Sequence, residues 1–311
     1  MVTSPSDNAL RGSFAERIAR GPLLIDGGLS TALELNGARF DTPLWTGQAL
    51  LDSPEKIVRA HRDFVDAGAD VVITASYQLS RVGFERLGRS AAEADRALVA
   101  SVRAGFDAVQ SSGALVAASV GPYGAILHDG SEYRGDYGLA RDELINFHVE
   151  RLKVLAEAKP DLFAIETIPD LLEIEALVIA LRSVPEIPAW LSVTIGPDGR
   201  LWSGASLADV VRAVHGSPQV VALGLNCLDP DLVESALAEL RAVTDLPLVV
   251  YPNAGGTWSA QTGAWSVPPR EFTPTMGRAW LRAGANAIGG CCGVGPAALT
   301  TLGHALEPEA R

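Results

Sequence analysis

Cysteine is scarce in this chain, three in 311 residues, too few for a disulfide framework. Positive charge is also short. Lys and Arg number 25 against 37 Asp and Glu, a formal net charge of -12, which disfavours a polyanionic partner because phosphate binding needs a basic surface. Long apolar runs are missing: stretches such as 114–120 and 246–250 are far too short to cross a bilayer. Residues 1–8 are polar and carry no apolar core of the kind a secretory signal needs. The expected compartment is therefore a reducing cytoplasm, where clustered cysteines serve as metal ligands or catalysts more often than as disulfides. Neither a G-x-G-x-x-G turn nor a Walker pattern is present. The five histidines, His61, His128, His148, His215 and His304, follow no metal-ligand spacing and read as structural.

What is abundant is aliphatic. Hydrophobic residues make up 48% of the chain and aromatics only 6%, the balance of a helix-and-parallel-sheet protein. Short, unalternated apolar runs recur at 23–25, 71–74, 114–120, 162–165, 189–194, 220–225, 248–251 and 287–289. Each is what a parallel strand covered on both faces requires. Helical segments lie between them, over 54–67, 91–110, 141–158, 171–181, 207–214, 230–243, 274–283 and 296–306. The first follows Asp52-Ser53, a good N-cap with proline next. Asp66-Ala67-Gly68-Ala69-Asp70 and Arg282-Ala283-Gly284-Ala285-Asn286 repeat one design, a helix stopped by glycine and then a strand. Eight βα units without a dividing linker predict a single (β/α)8 TIM barrel over residues 1–311, with function at the carboxyl ends of the strands. A doubly wound sheet is the alternative architecture, and the first strand's Asp26-Gly27-Gly28 lacks its phosphate-turn spacing.

The strand ends carry the polar residues that a barrel active site needs. Asp26 follows the first strand, Thr74 and Tyr77 the second, and Glu166-Thr167 the fourth. Ser192 and Thr194 lie on the fifth, Asn226-Cys227 follows the sixth, Tyr251 and Asn253 the seventh, and Cys291-Cys292 the eighth. All three thiols thus fall at one mouth, although Cys227 and Cys291 are 64 positions apart. Strands six and eight are separated by one strand, roughly 10 Å, so inward side chains could share one ion. Three ligands with a fourth position open are the pattern of a catalytic zinc. Adjacent cysteines on a regular strand would face opposite ways, but Gly289-Gly290 and Gly293 let the backbone leave the extended conformation. Asp26 and Glu166 could hold an ammonium, Gly27 and Gly28 could bring N–H groups close to a carboxylate, and Trp45, Tyr77 and Tyr251 could face a sulfonium or quaternary ammonium.

These motifs, Asp26-Gly27-Gly28, Glu166-Thr167-Ile168-Pro169, Asn226-Cys227 and Gly289-Gly290-Cys291-Cys292-Gly293, resemble the zinc-dependent homocysteine S-methyltransferases over nearly the whole chain. Leu44-Trp45 and Thr74-Ala75-Ser76-Tyr77-Gln78 look most like the short enzymes that use S-methylmethionine or S-adenosylmethionine. The resemblance implies that Cys227, Cys291 and Cys292 bind Zn2+, that Asp26 and Glu166 bind the homocysteine ammonium, and that Trp45 and Tyr77 lie toward the methyl donor. The substrates implied are L-homocysteine and a methyl donor, with no nucleic acid or membrane partner. Relatives commonly read Pro-Asn-Ser-Gly-Glu where this chain has Pro252-Asn253-Ala254-Gly255-Gly256, which alters the donor side around Asn253. A betaine-using methyltransferase and a barrel with a structural or redox zinc–thiolate site are the alternatives. The absence of a fourth cysteine counts against an all-thiolate structural cage, and the chain length disfavours a modular methionine synthase.

Overall fold

A computed structural model describes residues 12–38, 46–110, 112–255, 258–259, 264–265 and 268–308. The eight apolar runs form eight parallel strands: β1 Leu23–Leu24, β2 Val71–Ile73, β3 Leu115–Val120, β4 Leu162–Ile168, β5 Ala189–Val193, β6 Val220–Asn226, β7 Leu248–Tyr251 and β8 Ala287–Ile288. Each pairs with its sequence neighbour from β2 to β8, and β8 returns to β1. Between β1 and β2 the ring closes through an Ile25–Val71 bridge, with Asp26 N–H on Val71 O at 3.0 Å and Asp70 N–H on Leu24 O at 2.7 Å. The chain is a TIM barrel, as its strand rhythm predicts.

The strands are mostly apolar because both their faces are buried, and their polar residues, such as Ser119, Glu166 and Asn226, lie toward their carboxyl ends. One layer fills the barrel interior, where Ile25, Val71, Ala117, Ala164 and Val249 meet the larger Trp190 and Tyr251. The other packs strands against the helical ring. Phe14, on the short helix Phe14–Ile18, belongs to the interior layer and meets Trp190 at 5.5 Å between ring centroids. Trp190 Nε1 donates to Tyr251 Oη at 2.9 Å. A column of aromatics thus runs up the barrel axis and ends beneath the site.

Both glycine stops behave as the sequence suggests. Gly68 and Gly284 have φ of +100° and +111°, and in each case the residue after glycine donates five residues back, Ala69 to Phe64 O and Ala285 to Trp280 O, both at 3.0 Å. This closes the helix end as a Schellman motif. The expected cap at Ser53 forms differently: Ser53 occupies the N-cap of helix Pro54–Asp66, but its side chain makes no capping bond. The expected helix over 230–243 opens as a 3-10 turn, Pro230–Leu232, before Val233–Arg241. Among the described residues, no helix is long and apolar enough to cross a membrane.

The connection over 121–140, after β3, is irregular. It holds two 3-10 turns, Tyr123–Ile126 and Ser131–Tyr133, and it folds back over the carboxyl mouth.

Candidate active site

Two strand ends, those of β6 and β8, converge on one cluster of sulfur. Cys227 Sγ lies 3.8 Å from Cys292 Sγ, Cys291 Sγ lies 3.9 Å from Cys292 Sγ, and all three sulfurs are within 4.8 Å of one another. A disulfide needs about 2.05 Å, so all three are free. Tetrahedral zinc with bonds of about 2.3 Å separates its ligand sulfurs by roughly 3.8 Å. The spacing fits that ion. Among the described residues this trio is the one cluster of His, Cys, Asp and Glu with metal-ligand geometry, and no histidine contributes.

The backbone is bent to make the cluster. Cys227 adopts φ +52°, which turns its thiol inward beyond the end of β6; a non-glycine residue there carries strain of order 1–3 kcal/mol. After β8, Cys291 N–H donates to Pro252 O at 2.8 Å and Val294 N–H returns to Cys291 O at 3.0 Å. With Gly293 at φ +82°, this tight turn points both neighbouring thiols the same way. The Cys227 thiol is held well below the usual range because the Cys291 and Cys292 thiols, and then the Tyr133 hydroxyl, hydrogen-bond to its sulfur. Those same bonds to Cys227 push the Cys291 and Cys292 thiols up. One thiolate supported by two S–H donors is a donor set in which a divalent cation can replace the shared protons.

Asp26-Gly27-Gly28 packs directly against this turn. Gly290 N–H donates to Asp26 O at 3.0 Å, Gly28 N–H donates to Val294 O at 2.9 Å, and Thr31 Oγ1 accepts Gly293 N–H at 3.0 Å. A Cβ on Gly27 would sit 2.3 Å from Val294 O, and one on Gly28 2.6 Å from Cys291 O. The Gly28 N–H is therefore used within the protein and not offered to a carboxylate. The two glycines make room for the cysteine turn.

The two predicted carboxylates differ. Asp26 is 1% exposed; its Oδ2 accepts Ile73 N–H at 2.8 Å and its Oδ1 has no partner. Burial pushes its pKa well up, against the Ile73 bond and with the Glu166 charge. Glu166 accepts the Ser119 hydroxyl, and burial raises it to about 7. A shift in the β4–β5 register between Ile165 and Ile168 aims it inward. Thr167, at φ +61°, is tied across to β6: its N–H donates to Asn226 Oδ1 and its Oγ1 accepts Asn226 Nδ2, both at 2.7 Å. Asn226 thus locks the Glu166 and Cys227 strand ends together.

A cavity of ≈ 140 Å³ is lined by the three thiols, Glu166, Tyr77 and Tyr251 among others, including Gly27 and Gly28, while Asp26 is not among its lining residues. Asn253 does not line it. Its Oδ1 accepts Gly255 N–H at 2.8 Å and its own N–H donates to Leu228 O at 3.1 Å, so it shapes the loop after β7. Trp45 and Gly256 lie outside the described residues.

The third strand supplies two lining residues that strand-end reasoning misses. Glu132 and Tyr133, on the turn Ser131–Tyr133, face the cavity, with Tyr133 Oη 3.4 Å from Cys227 Sγ. They stand more than ten residues past β3, so no motif at the strand end announces them. Buried polar groups on the outer helices hold the loop in place. Glu173, fully buried, accepts Tyr123 N–H at 2.6 Å, the His148 ring at 2.9 Å and Tyr137 Oη at 3.0 Å. Arg151 donates to Gly121 O at 2.9 Å and to Tyr77 O at 2.9 Å. Burial depresses His148, more than Glu173 restores it, so the neutral imidazole donates to the carboxylate.

A model of the family described as homocysteine S-methyltransferase matches residues 23–306. Homocysteine S-methyltransferase 2 of Zea mays is 40% identical, covering 95% of this chain and 95% of that protein. The homocysteine S-methyltransferase of Escherichia coli is 40% identical over 90% of this chain and 94% of its own length. Among solved structures, the metallated form of the E. coli homocysteine methyltransferase MmuM superposes with a TM-score of 0.83 at 39% identity, covering 92% of this chain and 97% of that one.

Proposed function

This chain belongs to the homocysteine S-methyltransferase family, and on that premise we propose that it methylates the sulfur of L-homocysteine, giving methionine, with zinc held by Cys227, Cys291 and Cys292 and a sulfonium, S-methylmethionine or S-adenosylmethionine, as donor. The observation that carries the reading is the sulfur cluster, with Cys292 Sγ 3.8 Å from Cys227 Sγ and 3.9 Å from Cys291 Sγ, a spacing suited to tetrahedral zinc and lacking a fourth thiol. The metallated form of the E. coli relative supports a metal in this family.

Bound there, zinc supplies Lewis acidity that lets a thiol of ordinary pKa, about 8.5, bind as thiolate at neutral pH. The chain's own residues do the rest. The carboxylates of Asp26 and Glu166 receive the homocysteine ammonium, the unpartnered Asp26 Oδ1 being the acceptor that lacks an internal donor. Their buried positions make that ammonium a strong partner, because each carboxylate is held up in pKa until a cation neutralises it. Tyr77 and Tyr251 wall the cavity and reduce its water. A sulfur–carbon bond forms to the homocysteine sulfur while the donor's sulfur–carbon bond breaks, its pair returning to the sulfonium sulfur to leave a neutral thioether. The thiol proton goes to solvent. Alignment of the two substrates is the remaining contribution.

The test is direct. Purified protein should hold about one zinc per chain, and with homocysteine and S-methylmethionine it should form methionine. Cys291→Ala should lose both metal and transfer. Full activity in rigorously metal-free protein would overturn the reading, and methionine formed from betaine alone would redirect it to the betaine-using enzymes.

A further inference from the structure

We propose that Glu132 and Gln78 form a second ammonium subsite, which receives the α-ammonium of an amino-acid methyl donor and so selects it over donors that carry no N–H. The proposal rests on the methyl-transfer reading above and specifies how the donor is chosen.

Two acceptors in the cavity wall lack partners. Glu132 Oε2 and Gln78 Oε1 are both buried, and neither has a hydrogen-bond partner. Both residues line the cavity that holds the thiols. Buried acceptors in folded proteins are almost always satisfied, so an orphaned pair facing a cavity calls for a donor from a ligand. A carboxylate and an amide oxygen together suit a primary ammonium, which brings three N–H donors and a positive charge.

The pair is distinct from the homocysteine carboxylates. Asp26 and Glu166 rise from β1 and β4, whereas Gln78 follows β2 and Glu132 lies in the loop after β3. Glu132 also shares a turn with Tyr133, whose hydroxyl reaches Cys227 Sγ at 3.4 Å. A ligand held by Glu132 therefore lies beside the sulfur centre, where a donor must lie. Tyr77 lines the same cavity and can face the donor's sulfonium. A sulfonium or trimethylammonium group has no N–H and leaves Glu132 Oε2 and Gln78 Oε1 unsatisfied. Only a donor with a primary ammonium as well as a charged methyl-bearing atom meets the whole wall.

The subsite is rigid. A Cβ on Gly124 would meet Glu132 N at 2.5 Å, so the two 3-10 turns of the loop are in close contact. Glu173 fixes the first turn through Tyr123 N–H, and Arg151 fixes the base of the Gln78 loop through Tyr77 O. Arg134, whose charge reaches Glu132, is exposed and directs its guanidinium to Asp129 O at 3.4 Å.

The experiment compares wild type with Glu132→Gln, each loaded with zinc, and Gln78→Ala serves as the second variant. Two donors are used: S-methylmethionine, and dimethylsulfoniopropionate, which keeps the sulfonium and carboxylate but lacks the ammonium. Isothermal titration of S-methylmethionine gives binding without turnover, and kinetics give KM for each substrate. The wild type should prefer S-methylmethionine. Glu132→Gln should weaken S-methylmethionine by about 10- to 100-fold, the loss of a charge-assisted bond, while the other donor, the KM for homocysteine and the zinc content stay within about twofold. The preference between donors should narrow by the same factor. An unchanged preference, or a rise confined to the homocysteine KM, overturns the subsite. If wild type makes no methionine from either sulfonium yet S-methylmethionine binds in a Glu132-dependent way, the donor reading fails and the subsite stands.

Discussion

Gly28→Ala should weaken zinc binding although residue 28 touches no metal. The φ of Gly28 is −67°, a value alanine adopts freely, so the whole effect comes from contact. The added methyl would lie 2.6 Å from Cys291 O, 2.8 Å from Thr31 Oγ1 and 3.2 Å from Cys291 C. Ordinary contact begins near 3.4 Å, so the cysteine turn must retreat by about 0.8 Å, several times the roughly 0.2 Å latitude of a metal–ligand bond. Cys291 O cannot yield alone, because it accepts Val294 N–H, and Thr31 Oγ1 accepts Gly293 N–H. Both restraints drag the turn that carries two of the three thiols. Overpacking of this kind costs about 1–3 kcal/mol of stability, and a displaced metal support costs about 10- to 100-fold in affinity. Chelator competition measures the affinity and urea unfolding the stability. Gly21→Ala is the control, since its methyl would meet nothing within 4 Å. A folded Gly28→Ala protein with wild-type zinc affinity would refute the packing argument.

Glu166→Gln should raise the KM for homocysteine by about 10-fold or more, through loss of a charged partner for the ammonium, with zinc content unchanged. The same residue shapes pH dependence. Its pKa rises from 4.5 to about 7 on folding, so it contributes stability that is full below 4.5 and is lost as pH rises through about 7; urea midpoints of Glu166→Gln should fall less steeply across that window. His61 acts in the opposite sense. It is fully buried, neither ring nitrogen has a partner, and burial lowers its pKa from 6.5 to about 4. Its stability contribution is present above 6.5 and lost as pH falls through about 4, on the order of 2 kcal/mol between pH 7 and 5. His61→Leu should remove that acid sensitivity and stabilise the protein at neutral pH, as urea titrations at both pH values would register. Glu173→Ala removes the shared acceptor of the buried His148 ring and of the half-buried Tyr123 N–H and Tyr137 Oη; it should cost about 1–3 kcal/mol in denaturant unfolding and weaken donor binding by releasing the Glu132 loop.

What is legible in the sequence follows from the barrel's regularity. Strands buried on both faces must be apolar without alternation, so runs such as 114–120 and 220–225 declare themselves. A rule that places function at strand ends then brings Cys227 to Cys291 and Cys292 without any local motif joining them. That rule reaches only a few residues past each strand. Glu132 and Tyr133 escape it because their position depends on Glu173, His148 and Arg151, polar residues buried on helices, which nothing local separates from solvated ones. Asn253 shows the converse: it stands at a strand end, but its side chain accepts the Gly255 N–H and does not line the cavity. The two glycines after Asp26 suggest close approach of a ligand, and the structure places a close approach there, to the cysteine turn. The bulge at Glu166-Thr167 and the left-handed Cys227 depend on the Asn226 bridge between strands, a pairing that exists only once the ring has closed.

X-ray absorption at the zinc edge, without and with L-homocysteine, tests the central claim most directly. The account predicts three sulfurs at about 2.3 Å and one lighter ligand in the free protein, becoming four sulfurs when homocysteine binds. A sulfur count that stays the same on adding homocysteine, or one below three at the outset, would contradict it.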